Sequence, residues 1–389
     1  MKKRRHDIAK INAIICLFLL SFAVNAQIIP AKGQSDAIDI CNWNLEWFGK
    51  TSPGYGPSDD VLQQQNIYKT ILQADMDLWA FCEIASISAF DSMMSKLPDY
   101  GYVISTFFPE QKTACIYKKS QFRLQQARLV GISNKDSFST GRFPFEITLI
   151  PLDKTGIDTL FMLVLHLKSN IGTDTEKMAA YNSRKRSSEW LRMYLETTHK
   201  NHYCMVLGDW NDDIDVSIYN SLPSPFTELQ KKGLPYTFIT RPFTLSNMGT
   251  TTAYNNPIDH QLVSDRLLKF YMQDSSFIWH LNDFIPDYDH TTSDHYPVYS
   301  KFSLTNSSVQ SRHISYPRIT PQPANTSFNL SDIPLNCGVK IMTLQGQCLY
   351  ETLNYAGEDI HTSEISNGLY LLVIESPGYK YHEQLLIQH

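Results

Sequence analysis

The apolar positions of this chain fall into short runs with two periods. Residues 37–43 alternate as a strand does, and residues 78–82 and 203–207 are continuous apolar runs of the kind a buried strand shows. Residues 114–117 and 122–130 read as paired strands. Residues 145–152 and 160–165 read as a second pair, joined by a turn at 153–158. A β-prone run at 296–302 closes this part of the chain. Helical spacing marks residues 60–73, with Asp59 or Asp60 as N-cap, residues 88–97, stopped near Pro98, and residues from about 175 to 197. Strands alternating with helices, with some neighbours linked as hairpins, predict an α/β fold: a mixed sheet or two stacked sheets, helices outside.

The pattern changes after residue 303. Residues 304–316 are rich in Ser, Thr, Asn and Gln without periodicity and read as a linker. Residues 317–389 read as a small all-β domain. Its expected strands, 339–341, 347–352, 368–374 and 381–387, lie between turns such as Asn367-Gly368.

Composition adds three constraints. A basic start and a mostly apolar run at 11–23 precede Ala26, so residues 1–26 are expected to be a cleaved signal peptide, and the run is short for a membrane span. Cys16 follows Ile15, where lipidation needs a small residue. The formal charge is −5. Removing residues 1–26 takes away five Lys/Arg and one Asp and leaves −9. A chain this acidic is no blanket binder of nucleic acid, so a polyanion must meet a local basic patch or a bound cation. Cys41, Cys82, Cys115 and Cys204 stand in or beside apolar runs and are expected as buried thiols, whereas Cys337 and Cys348 are candidates to pair.

The chemistry gathers where the strands end. Asn44, Glu83, His166, Asp209, Asn211, Asp259, Asp294 and His295 each close or follow an apolar run, and all carry oxygen or imidazole groups. Without Cys ligands or an HExxH segment, zinc is disfavoured, and neither a phosphate-cradling glycine loop nor a GxSxG nucleophile turn is present. Carboxylate and amide oxygens suit a hard divalent cation, Mg2+ first, with Mn2+ or Ca2+ as alternatives. Two histidines beside such a cation suit attack of water on phosphorus.

In order, Asn42-Trp43-Asn44-Leu45-Glu46, Phe81-Cys82-Glu83-Ile84, Leu165-His166-Leu167-Lys168, Gly208-Asp209-Trp210-Asn211, Ile258-Asp259-His260 and Ser293-Asp294-His295-Tyr296-Pro297 resemble the motifs of the endonuclease/exonuclease/phosphatase superfamily, the family of pancreatic deoxyribonuclease. The resemblance spans residues 37–303. It implies a four-layer α/β sandwich of two packed mixed sheets flanked by helices. It also implies a secreted metal-dependent phosphodiesterase, a nuclease acting on extracellular DNA or RNA in the first reading. By carry-over, Glu83 binds the cation with Asn44 at or near it, and Asp294 is a second metal or field residue. Asn211 holds a phosphate oxygen, and Asp209 orients or deprotonates the attacking water or stands near a metal. His295 is general base or transition-state stabiliser, oriented by Asp259, and His166 contacts the phosphate or assists the leaving group. Arg142 and Lys168 are the implied substrate-binding cations. Two departures stand out. Gln111 occupies the position from which a Glu supports the first histidine in some members, and Glu46 replaces a basic residue.

The segment 317–389 resembles the C-terminal sorting domain of type IX secretion, which implies the type IX secretion machinery as partner and a secreted or cell-surface location. No stable protein partner is expected. Several residues are read as structural. Trp43, Trp47, Trp79 and Trp210 suit core or rim packing, Arg184-Lys185-Arg186 a solvated helix face, Asp212, Asp213 and Asp215 a solvated loop, and His260 the fold. Competing functions are a phospholipid or sphingomyelin phosphodiesterase, a phosphomonoesterase, or a catalytically inactive surface binding protein.

Overall fold

The computed structural model describes residues 28–107, 110–135, 137–138, 141–152, 156–303, 317–331, 333, 337–343, 346–376 and 379–389. The expected signal peptide, the linker and the start of the turn at 153–158 lie outside the described residues.

Among the described residues, the first unit contains twelve strands and three longer helices. In chain order they are β1 (Ala37–Phe48), α1 (Asp60–Ala74), β2 (Leu78–Ile84), α2 (Ile87–Met94), β3 (Tyr100–Ile104), β4 (Lys112–Lys118), β5 (Phe122–Leu129), β6 (Phe145–Pro151), β7 (Leu160–His166), α3 (Asp174–Tyr194), β8 (Tyr203–Asp209), β9 (Tyr236–Phe238), β10 (Asp259–Ser264), β11 (Tyr271–Ile278) and β12 (Val298–Ser303). They build two six-stranded sheets, ordered β11-β12-β1-β2-β4-β3 and β5-β6-β7-β8-β10-β9. Both sheets are mixed. β1–β2 and β7–β8 run parallel, and their other pairings are antiparallel.

Strand alternation builds the layers, because successive side chains point to opposite faces. Along β1 and β2, Ile38, Ile40, Leu78, Ala80 and Cys82 meet Ile147, Leu149, Met162, Val164, Met205, Leu207 and Val263 of the other sheet. Residues of the opposite parity, Cys41, Trp43, Trp79 and Phe81, pack outward against Ile67 and Ile71 of α1 and Phe90 of α2. On the second sheet the outward residues Leu163, Leu165, Cys204, Val206 and Leu262 pack against Leu191 and Leu195 from α3 and the turn after it. The order is helix, sheet, sheet, helix: the expected four-layer sandwich. The caps are local. Asp59 accepts from the amides of Val61 and Leu62 to start α1, and Thr173 with Glu176 forms a capping box on α3.

One expected pairing is wrong. The segments at 114–117 and 122–130 do not form a hairpin: β4 pairs with β2 and β3, whereas β5 pairs with β6 in the other sheet. Phe122 is buried in the core between the sheets and draws the chain across after β4.

β1 and β12 are antiparallel neighbours, with Ala37 opposite Ser303 and Asn42 opposite Val298. After residue 316 seven short strands form a three-stranded and a four-stranded antiparallel sheet around a second core that includes Phe328, Val339, Ile341, Leu372 and Leu385. Cys337 and Cys348 do not pair. Cys337 stands opposite Tyr355 and Cys348 opposite Met342, at the two ends of one ladder. All described cysteines are free thiols, buried except for Cys348.

Candidate active site

The site forms where β1, β2, β7 and β8 finish and β10 begins, at one edge of the paired sheets. Parity delivers most of it. Asn44, His166, Asp209 and Asp259 continue the rows that face the opposite sheet, whereas His260 turns outward to Phe238, donates from Nε2 to the Pro257 carbonyl and meets the Thr240 hydroxyl at Nδ1. Glu83 breaks the rule. Alternation would place it with Trp79 and Phe81 on the helix face, but its backbone is left-handed (φ 62°), and the carboxylate turns back to the strand ends. Asn211, Glu46 and Trp47 are also left-handed, with φ of 56°, 47° and 54°. Such conformations cost about 1–2 kcal/mol each for non-glycine residues and cluster at functional sites. Gly208 has a different task. At φ 130°, a Cβ there would come within 2.2 Å of the Leu165 carbonyl oxygen, so glycine lets β7 and β8 close up with His166 opposite Asp209.

Asp209 is the centre. Its Oδ2 accepts from Nδ2 of Asn44 at 3.0 Å and from Nδ2 of Asn211 at 2.9 Å, and Oδ1 accepts the Asn211 amide at 2.9 Å. Nε2 of His166 lies 3.6 Å and Nε2 of His295 3.9 Å from the same Oδ2. Glu83 accepts from Asn44 at 3.2 Å and from the Trp47 amide at 3.1 Å, and its Oε1 lies 3.4 Å from Nε2 of His166. His295 is held by Asp259 at 2.8 Å, with Asp294 Oδ1 3.8 Å from its Nε2. The His295 carbonyl accepts from the Trp43 indole at 3.0 Å and from the Tyr288 hydroxyl at 2.5 Å, which fixes the backbone behind the imidazole.

The electrostatics divide the two histidines. Burial, with Arg142 beside it, holds His166 well below the ordinary imidazole range, so the ring is neutral. Burial opposes charge on His295 too, but Asp259, Asp294 and Asp209 outweigh it and hold this imidazole well above the ordinary range. The carboxyls respond to crowding. Burial and the charges of Asp259 and Glu83 push Asp209 up to about 7, and burial also raises Glu83.

This pattern bears on a cation. Glu83, His166 and Asp209 present ligand atoms within 4.8 Å of one another. Buried carboxylates raised by desolvation and mutual repulsion are relieved by a bound positive charge, and oxygen donors suit a hard divalent ion, so the residues fit one. Asn44 adjoins both carboxylates. Asp294 stands at the rim with 52% of its side chain exposed.

Arg142 and Gln111 resolve the missing support for His166. Nη1 of Arg142 lies 2.9 Å from Nδ1 and 2.7 Å from Nε2 of His166, and donates to Oε1 of Gln111 at 3.2 Å. An amide thus holds an arginine, which holds the histidine. Lys168 stands on the loop after β7, where burial and the charge of Arg142 lower its pKa.

Three structural readings change. Arg184 is fully buried and not on a solvated face. Its Nε and Nη2 donate to Asp212 Oδ2 at 3.0 and 2.8 Å, and Nη1 donates to the Lys168 carbonyl at 2.6 Å. Asp212 and Asp213 are buried too, so this loop is an internal brace rather than a solvated one. Glu46, noted only as a departure, takes part in the site. Its carboxylate accepts the Asp294 amide at 2.9 Å, and burial together with Asp294 pushes it up to about 8. Thr250 carried no sequence signal. Its hydroxyl donates to Asp259 Oδ2 at 2.7 Å and accepts from the amides of Ile258 and Asp259.

Two mixed six-stranded sheets with helices outside, and a site at the strand ends, make a four-layer fold that is shared with solved structures of TDP2. Among solved structures, this chain is similar to humanized D. rerio TDP2 carrying 14 mutations, at 11% identity over 69% of this chain and 100% of that one, with a TM-score of 0.51. It is similar to D. rerio TDP2 complexed with single strand DNA product at 12% identity, with the same coverage and TM-score. An endonuclease/exonuclease/phosphatase family protein from Bacteroides thetaiotaomicron matches at 16% identity over 69% of this chain and 98% of that one, TM-score 0.46. Residues 318–388 match the family model described as a secretion system C-terminal sorting domain. No curated protein matches the chain. None of the described helices is long and apolar enough to cross a membrane.

Proposed function

We propose that this chain is a secreted, divalent-cation-dependent phosphodiesterase that hydrolyses DNA or RNA. The observation that carries the reading is the convergence on Asp209 of two amides and two imidazoles of opposite charge preference. That set can hold a water, a phosphate oxygen and a leaving oxygen together. Glu83 and Asp209, with Asn44 beside them and Asp294 at the rim, are the donors for the cation, which when bound offsets charge on the phosphate. Asn211 and Asn44, whose amide hydrogens go to Asp209, Glu83 and the Leu167 carbonyl, can turn one of them to phosphate or water when it enters. Asp209, ionised when a cation offsets the crowding, orients or takes a proton from the attacking water. His295, kept cationic by Asp259, stabilises the charge that develops on phosphorus. Neutral His166, aligned by Arg142, contacts the phosphate or assists the leaving oxygen, and Arg142 and Lys168 supply positive charge in an otherwise acidic chain.

The nucleic-acid assignment is supported by the fold's likeness to a TDP2 structure holding a single-strand DNA product. Export through type IX secretion is supported by the sorting-domain match at 318–388. The test is product analysis with DNA, RNA, sphingomyelin, phospholipid and phosphomonoester panels under Mg2+, Mn2+, Ca2+ or chelator. Cleavage of nucleic acid that stops with chelator is expected. Turnover of lipid or monoester alone, or binding without turnover, sinks the assignment.

A further inference from the structure

The loop after β1 lies back over the site instead of leaving it. Gly56 rests on the Glu46 carbonyl and the Trp47 Cβ: a Cβ there would approach the Glu46 carbonyl oxygen to 2.5 Å and the Trp47 Cβ to 3.3 Å, and φ is 60°. That contact sets Tyr55 against Trp47, edge to face, with ring centroids 4.7 Å apart. The Trp47 amide is bonded to Glu83, so this aromatic pair begins one bond from the crowded carboxylates. Lys50, paired with Glu110, places its ammonium 5.4 Å from the Tyr55 ring centre. Trp43, Trp79 and Trp210 are buried in the core, but Trp47 is only half-buried and Tyr55 is 44% exposed.

We propose that Trp47 and Tyr55 form a stacking platform for a nucleobase next to the scissile phosphate, with Lys50 beside it for the adjoining backbone charge. The inference rests on the nuclease reading and gives it a base-binding subsite. Aromatic faces hold bases of any sequence, which suits an enzyme without a base-edge code. Trp47 keeps a left-handed backbone, which is costly for a bulky residue, and the Gly54–Gly56 turn clamps it there. A rigid, half-buried pair of this kind suits stacking. A lipid surface would be met by a protruding apolar tip, but the tip of this loop is Thr51, Ser52, Pro53 and Gly54, all exposed and none of them large and apolar.

The test compares the full chain with Trp47→Ala, Tyr55→Ala and Tyr55→Phe. With magnesium present, kcat/KM is measured for thymidine 5′-(4-nitrophenyl) phosphate and for the base-free methyl 4-nitrophenyl phosphate. The ratio of the two should fall about tenfold in the alanine variants and be kept by Tyr55→Phe, which retains the ring. Independently, without metal, a fluorescent trinucleotide should bind wild type more tightly than its abasic counterpart, and Tyr55→Ala should erase that difference. An unchanged ratio and an unchanged difference in Tyr55→Ala, an exposed-loop change, overturn the platform. So does a Tyr55→Ala defect seen only in binding to phosphatidylcholine vesicles. If wild type cleaves neither ester, the nuclease reading fails, while the trinucleotide arm still decides the platform.

Discussion

Nδ1 of His295 meets Oδ2 of Asp259 at 2.8 Å, although His295 stands in the loop before β12, Asp259 opens β10 in the other sheet, and the two are 36 positions apart. The bond sets the ring's orientation and favours its charged form. Asp259→Asn should keep the fold and lower turnover by about 100-fold or more, because the amide no longer supports an imidazolium. His295→Ala should cost at least as much. The check is kcat on a phosphodiester, with circular dichroism to verify folding. Equal turnover in Asp259→Asn and wild type would remove the dyad from the chemistry.

Thr250 reaches the same carboxylate oxygen, and its segment is tied to the histidine loop by the bonds Tyr296 N to Thr250 O and Thr252 N to Asp294 O, both 2.8 Å. Thr250→Val removes the donor but keeps the volume. A roughly five- to thirty-fold loss of kcat is expected, about 1–2 kcal/mol, with most of it restored in Thr250→Ser. A serine variant no better than valine would show that the hydroxyl is not what positions Asp259.

The proposed cation would be held by carboxylates whose pKa values burial raises. Glu83→Gln and Asp209→Asn should each weaken manganese binding by about tenfold or more, read by calorimetry without substrate. His260→Ala, on the outer face of β10, should leave manganese affinity unchanged. An unaltered isotherm for both carboxylate variants would place the ion elsewhere.

Glu146 provides a pH-dependent test of stability away from the site. Burial alone would raise its pKa, but bonds from His199, Tyr194 and Arg128 overcome burial and hold it at about 2. An unfolded glutamate titrates near 4.5. The group's contribution is therefore fully present above about pH 4.5 and lost as pH falls toward 2. It amounts to roughly 3 kcal/mol at neutral pH. The stability gap between wild type and Glu146→Gln, measured by urea unfolding, should shrink over that window. A gap constant from pH 6 to pH 3 would contradict the network.

The Arg184–Asp212 pair is the brace for both loops that carry His166 and Asp209. Breaking it by Arg184→Met leaves a buried carboxylate without its partner and should destabilise by about 3–5 kcal/mol. Arg184→Met combined with Asp212→Leu should recover part of that loss in the same denaturant titration. No recovery in the double variant would mean that the cost lies in packing around α3.

The readable part of this molecule is the part governed by strand alternation. Asn44, His166 and Asp209 end apolar runs, Asp259 opens one that runs the other way, and period-two geometry then points them to one edge. Glu83 was readable by position, but its orientation depends on a left-handed residue that no pattern announces. Thr250 was hidden because it lies in a loop without periodicity, and its role exists only once β10 and the histidine loop meet. The burial of Arg184 was equally hidden. A basic triplet on a helix reads as a wet face until a buried aspartate is found opposite it. The divergence of β4 and β5 had the same origin, since adjacency in sequence favours a hairpin and only Phe122's burial between the sheets shows otherwise.

Ala37 and Ser303 are register partners, so the first unit starts and finishes side by side. Both lie at the pole of β1 remote from Asn44, about 20 Å away along the strand. Ser303 thus ends the first unit at the pole away from the candidate site. A tail joined there can be cut away, kept as a tether or exchanged for another passenger without displacing a strand end that carries a candidate site residue. The same neighbouring ends make the unit a natural candidate for circular permutation, with the old ends bridged by a short linker.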